Sequence, residues 1–213
     1  DAMLTYKPNG SPLSSSAGVS DVTSVPVGLR YSFFALPEKP MARRMSDDRV
    51  GFFSDAQRDF SRQTEVNQMV QYVNRWRLEK KDPTAEMSDP VQPIVYYIDR
   101  TVPTELRKWV REGIEGWQKA FEAAGFTNAI IAKEAPDDST WSAEDMRYST
   151  VRWSASHQMG YAIGPSQTDP RTGEILNADV LLSATFMRGW GDEWQTLVGP
   201  NGRDMLMIGH NSQ

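Results

Sequence analysis

Leu106, Trp109, Val110, Ile114, Trp117, Phe121 and Ala124 recur at intervals of three and four. That spacing lines apolar side chains along one stripe of an α-helix, and no other stretch of the chain constrains the fold as strongly. Pro103 suits the first turn of such a helix, where its missing N–H costs nothing. Gly125 can end it in the left-handed conformation that a side chain disfavours. The stripe needs an apolar surface to cover, and the flanking runs supply one. Ile94-Val95-Tyr96-Tyr97-Ile98 is typical of a strand buried on both faces. Ala129-Ile130-Ile131-Ala132 and Ser149-Thr150-Val151-Arg152-Trp153 read as further strands. A strand, one long helix and then several strands is an α/β or α+β layer pattern, and α+β is the class expected here.

Outside this unit the punctuation is weaker. Residues 8–26 are rich in Ser, Gly and Pro and read as a flexible N-terminal segment, taken as 1–26. Val27 to Leu36 is β-branched and aromatic up to Pro37, which predicts a strand, and Arg49 to Phe53 predicts a shorter one. Residues 66–79 fit both helical and strand spacing, with a strand favoured at their end. The prolines of Asp82-Pro83 and Asp89-Pro90 bracket a polar linker. The expected division is therefore a β-rich module over 27–90 and an α+β unit over 91–213. Within the latter, Tyr161 to Gly164 is a possible fourth strand. Asp169-Pro170-Arg171-Thr172-Gly173-Glu174 has the turn formers of a hairpin, and Ile175 to Leu182 holds a fifth strand. Residues 199–213 lack periodicity and are expected to be loosely held.

Composition excludes several classes. Of the 213 residues 39% are hydrophobic and 24% charged, the balance of a globular chain rather than a disordered one. A formal net charge of -5 argues against a nucleic-acid partner, which would need a basic stripe. The densest basic cluster, Arg75, Arg77, Lys80 and Lys81, reads as a solvated strand end. There is no Cys, so a thiolate metal site, a disulfide framework and a Cys nucleophile are all excluded. No apolar run approaches the length of a transmembrane segment.

No complete catalytic constellation emerges from spacing. The two histidines are His157 and His210, and His157 is followed by Gln158-Met159-Gly160-Tyr161 rather than by a second His one helical turn on. It reads as a polar residue after a strand. Gly113-Ile114-Glu115-Gly116 lies inside the helix and is no phosphate loop. Asp169 to Glu174 lacks the alternating oxygen ligands of a calcium loop. Asp47-Asp48 and Asp137-Asp138 sit in polar loops and read as solvated. The seven Trp and seven Tyr suggest a carbohydrate-binding surface only weakly, because Trp109 and Trp117 fall at core-like spacing.

Two ordered sets of residues are more specific. The first is Arg75-Trp76-Arg77-Leu78-Glu79-Lys80-Lys81-Asp82-Pro83, then Pro93 to Asp99, then Gly113 to Phe126. The second is Tyr148 to Trp153, then Gly164-Pro165-Ser166, then Asp169 to Ile175. Together, over about residues 27–188, they resemble a family of bacterial metzincin-like zinc-dependent metallopeptidases. The resemblance implies a twisted mixed sheet with a long helix, the N-terminal sub-domain of a metzincin-like catalytic domain. It implies secretion or a periplasmic location. It implies that Tyr96 to Asp99 is the first strand, residues 103–124 the first helix, and Ala178 to Leu182 the strand before the zinc-binding helix.

In that family an antiparallel edge strand pairs with the extended peptide substrate. The resemblance places this role on Tyr161, Ala162, Ile163 and Gly164, with Gly160 and Gly164 leaving room for a second backbone. The HExxH segment of the family does not occur in this sequence, so no catalytic or metal residue can be carried over. The parent enzyme would use zinc and hydrolyse peptide bonds. This chain would bind no zinc, would be inactive alone, and would need the C-terminal remainder of the catalytic domain as its partner. A non-catalytic interaction module built on the same sheet is the alternative. Whichever holds, a sheet face lacking its covering helix is expected to promote self-association.

Overall fold

The computed structural model describes residues 2–6, 25–61, 68–156 and 159–198. Most of the 8–26 segment and all of 199–213 lie outside these. The chain divides into two compact units, Asp1–Leu36 and Pro37–Gln213. In the first, β1 (Ala2–Tyr6) pairs antiparallel with β2 (Val25–Leu29), Ala2 opposite Leu29 and Tyr6 opposite Val25. The strand expected over Val27 to Leu36 thus ends at Leu29. β1 offers five residues of partner backbone, and beyond it Tyr31 and Phe33 are exposed.

In the second unit, β3 (Ser54–Arg58) pairs antiparallel with β4 (Met69–Val73). The short strand expected at Arg49 to Phe53 does not form. Asp47 instead organises a turn, its carboxylate accepting from the Arg49 N–H at 3.0 Å while its carbonyl accepts from the Val50 N–H at 2.9 Å. Local side-chain bonding of this kind overrides the β preference of Val50 and Phe52. The ambiguity at 66–79 resolves as a strand over Met69–Val73, while the end of the stretch, where a strand was expected, carries only the isolated Arg75–Glu174 bridge because it crosses to the β9 hairpin instead of continuing along β3.

The main sheet has four parallel strands in the order β10 (Val180–Ser183), β7 (Ser149–Ser154), β5 (Ile94–Ile98) and β6 (Ile130–Glu134). The chain crosses from β5 to β6 through α1 (Thr104–Glu115) and α2 (Gln118–Ala123). These two form the long helix expected from the stripe, interrupted at Gly116-Trp117. Gly125 ends it at a φ of 87°, and the Phe126 N–H returns to the Phe121 carbonyl at 2.9 Å. Ile98, Val102 and Ala132 form the buried centre, with Leu106, Val110, Ile114 and Trp153 packed on it. Trp109 and Trp117 are not core residues: they are 62% and 65% exposed. The core face of α1 is the narrower stripe of Leu106, Val110 and Ile114. Trp109 lies to one side of it under the Lys108 ammonium, 5.0 Å from its ring centre.

The fifth strand expected from Ile175 to Leu182 is two strands in two sheets. β8 (Ser166–Asp169) and β9 (Glu174–Ala178) form an antiparallel hairpin, and β10 begins after Asp179. Polar side chains turn the chain at this point. Asn177 Nδ2 donates to the Tyr148 carbonyl at 2.9 Å, the Ala178 N–H to Ser149 Oγ at 3.1 Å, and Asp179 Oδ1 accepts from both the N–H and the hydroxyl of Thr150 at 2.9 Å. A further helix, α3 (Ala184–Val198), follows β10 directly. The architecture is α+β with a mixed set of sheets and a few helices. No described helix is long and apolar enough to cross a membrane.

Candidate functional site: the edge and groove beside β10

Ile163 pairs antiparallel with Leu181, outside β10 and at the edge of the parallel sheet. The Ile163 N–H donates to the Leu181 carbonyl at 3.1 Å, and the Leu181 N–H donates back at 2.7 Å. The Asp179 N–H extends the register by donating to the Pro165 carbonyl at 3.0 Å. Tyr161, Ala162, Ile163 and Gly164 are all exposed. They form a single bridge rather than a full strand, because β10 is short and Asp179 turns away at its start. Antiparallel pairing alternates, so with Ile163 directed inward, the backbone groups of Ala162 and Gly164 turn to the outer side. A Cβ at Gly164 would meet only the Val180 side chain at 3.7 Å and the Asp179 carbonyl at 3.8 Å, and one at Gly160 would meet nothing within 4 Å. The space beside this segment is therefore open.

One face of the same sheet carries an apolar groove of about 440 Å³, lined among others by Trp76, Tyr96, Val110, Ile114, Trp117 and Leu182. Its origin is the crossover: α1 packs over β5 and β6, leaving the β7–β10 side of that face without a covering helix. Tyr96 projects into it. Burial, aided by the negative charge of Asp179, pushes its hydroxyl above the usual tyrosine range. The phenol stays protonated there and remains a hydrogen-bond donor.

The acidic side chains near the sheet are structural. Asp99 accepts from the Thr101 N–H at 3.1 Å and its hydroxyl at 2.6 Å. Burial alone would raise its pKa, but these bonds outweigh burial and hold it low. Asp169 is fully buried at the hairpin, and its carboxylate takes the Arg171 guanidinium at 2.7 Å. Among the described residues no three His, Asp or Glu side chains gather where a metal ion would sit. His157 and His210 lie outside the described residues.

The basic cluster is more than a solvated strand end. Arg77 forms a bidentate pair with the largely buried Glu174, Arg75 donates to the Ala42 carbonyl at 2.8 Å, and Lys80 to the Glu86 carbonyl at 2.6 Å. These cations tie loops of the second unit to its sheet. The Lys80 contact is local, but the Arg77 and Arg75 contacts span 97 and 33 positions, beyond the reach of any local motif. The apolar stripe of α3 has only a weak sequence signal. Phe186, Trp190, Trp194 and Leu197 are at helical spacing, but Gly189 and Gly191 interrupt them and weaken the helical signal.

A sequence family described as a domain of unknown function (DUF5117) matches residues 1–81. No curated protein matches the chain. No solved structure matches it either.

Proposed function

We propose that the chain is part of a zinc-dependent metallopeptidase, in which Tyr161 to Gly164 forms the rail that an extended peptide substrate pairs with. The observation that supports this reading best is the antiparallel Ile163–Leu181 bridge at the edge of an otherwise parallel sheet. An extended peptide laid along that edge would meet the outward backbone groups of Ala162 and Gly164, the geometry of strand addition. Main-chain pairing would supply affinity with little sequence preference, which suits a peptidase acting on unfolded segments. The exposed side chains of Tyr161 and Ile163, two residues apart and so on one face of an extended segment, would add an apolar contact on that face.

The described residues hold no cluster that fits a zinc ion. In this reading the ligands and the general base come from residues other than those described. The contribution of this part is to position the peptide and to give the zinc-binding segment a surface to pack on. Zinc content and peptide hydrolysis, measured on this chain and on the full gene product side by side, test the reading. Zinc and activity in the longer protein alone support it. Absence of both from the longer protein sinks it in favour of a non-catalytic interaction module.

A further inference from the structure

β6 is the outermost strand of the parallel sheet, and among the described residues no further strand pairs with it. An edge of this kind presents N–H and C=O groups that another chain can pair with. The ladder to β5 fixes which residues face outward. The Ile94 N–H donates to the Ala129 carbonyl at 2.8 Å, and the Ala135 N–H to the Ile98 carbonyl at 2.9 Å. Parallel pairing alternates between these two points, so Ile131 and Lys133 serve β5. Ile130, Ala132 and Glu134 turn their backbone groups to the outer side.

Side chains of α1 and α2 occupy that side. Arg111 Nη1 donates to the Ala132 carbonyl at 2.6 Å, and the Ala132 N–H donates to Glu115 Oε1 at 3.3 Å. Gln118 Oε1 takes the N–H groups of Ala129 and Ile130, at 2.9 and 3.4 Å, where the strand begins. At its other end Arg111 Nη2 holds Glu134 Oε1 at 2.9 Å, and Arg107 reaches Glu134 Oε2 at 3.5 Å. Residues 107, 111, 115 and 118 are four, four and three apart, which aligns them along one helix face. Helical backbone through Gly116 and Trp117 keeps Gln118 in that row. The row stands where a neighbouring strand would stand, and at Ala132 it supplies one donor and one acceptor, as a strand would.

We propose that this row closes the β6 edge to strand addition, and that the partner it excludes is the β6 edge of a second copy of this chain. Both outward groups of Ala132 are held by ionised side chains, and such bonds are stronger than those between neutral groups. Arg111 and Glu115 also face each other at 3.7 Å. An incoming strand would have to displace both ends of that ion pair before gaining any bond of its own. The opposite edge of the sheet, by contrast, carries only the Ile163–Leu181 bridge. The inference is independent of the peptidase reading.

Amide hydrogen exchange on the 213-residue chain, and sedimentation velocity on its variants across micromolar concentrations, test it. In the original chain the Ala132 amide should exchange at least about tenfold more slowly than an unpaired edge amide. Arg111→Ala combined with Glu115→Ala uncovers both Ala132 groups while favouring the helix. This variant should lose the Ala132 protection and self-associate about tenfold or more tightly than the original. Adding Glu134→Pro, which removes an outward N–H and no bond to β5, should reverse that association. Glu115→Gln alone keeps the acceptor and should associate no more than the original. An Ala132 amide that exchanges freely in the original chain overturns the proposal, and this reading needs no variant to fold. So does an opened variant that associates no more tightly than the original, or one whose association survives Glu134→Pro.

Discussion

The Arg77 guanidinium grips the Glu174 carboxylate in two parallel hydrogen bonds, Nε to Oε1 at 2.7 Å and Nη2 to Oε2 at 2.5 Å. The two residues are 97 positions apart, and the pair fastens the segment after β4 to the first residue of β9. Backbone bonds on either side, from the Arg75 N–H to the Gly173 carbonyl and from the Ile175 N–H to the Arg75 carbonyl, both 2.9 Å, complete the joint. The segment therefore acts as a strap across the base of the β8–β9 hairpin.

Breaking that pair from one side leaves a charge with little water to turn to. Glu174 is buried and Arg77 about a quarter exposed. Arg77→Met should cost about 2–3 kcal/mol in urea unfolding, somewhat less than a fully buried pair. The double substitution Arg77→Met with Glu174→Leu should recover most of it, because no unpaired charge remains. Equal losses in the single and double variants would show that the pair contributes through packing of its stems and not through charge.

Gly173 is required by geometry at the same joint. Its φ is 75°, and a Cβ there would fall inside van der Waals contact of the Val73 carbonyl oxygen and 3.3 Å from the Tyr72 carbonyl oxygen. Backbone atoms cannot move aside as a side-chain tip can. Gly173→Ala should cost about 3 kcal/mol or more, combining the left-handed strain with displacement of the strap. Gly113→Ala, in open space on α1, should instead stabilise by about 0.5–1 kcal/mol. The difference in urea midpoint between the two variants checks both.

Stability should fall in acid. The Arg171 side chain beside Asp169 holds that carboxyl below the usual range, and Thr101 does the same for Asp99 against the effect of burial. Asp89 is lowered by Thr127 and Asn128, Asp82 by Thr84, and Asp47, beside Arg49, falls to about 2. In each case the folded pKa lies below the unfolded value of about 3.9. The unfolded chain thus binds more protons across that window, and stability rises with pH through it. The contribution is fully present above the ordinary carboxylate range and drains away as pH falls through the lowered values. Thermal unfolding followed from pH 7 downward should show a plateau and then a decline below about pH 4. Asp169→Asn should flatten part of that decline while lowering the plateau.

The layer around α1 was legible because its information is local. Ile94 to Ile98, the 3–4 stripe and Gly125 each announce themselves within a few residues, and their boundaries hold to within two positions. Apart from the local Asp47 turn that replaces the strand at Arg49 to Phe53, the failures share a cause, which is that a partner distant in sequence decides the outcome. Residues 175–182 read as one strand because their β pattern is continuous. Asp179 divides them by bonding Thr150, 29 residues earlier. Arg77 reads as a surface cation until Glu174 is brought beside it. Trp117 reads as core until the sheet under α1 proves too narrowly covered to enclose it. Tyr161 to Gly164 reads as a strand from its residues, but its role as a substrate-side edge comes only from family resemblance, since four exposed residues with one bridge say nothing of what pairs with them.

That edge gives the sharpest test of the proposed substrate rail. The N–H of Ala162 faces away from Leu181 in the antiparallel register, while the inward bonds belong to Ile163. Ala162→Pro removes that outward donor without touching the Ile163–Leu181 pair. If a peptide substrate accepts from it, kcat/KM of the full gene product should drop about three- to tenfold, the worth of one net backbone hydrogen bond. Ala162→Val keeps the N–H and favours extended backbone, so it should stay close to the original activity. Unchanged thermal unfolding in both variants would assign the loss to binding and not to the fold. A proline variant as active as the valine variant would mean that the substrate runs elsewhere.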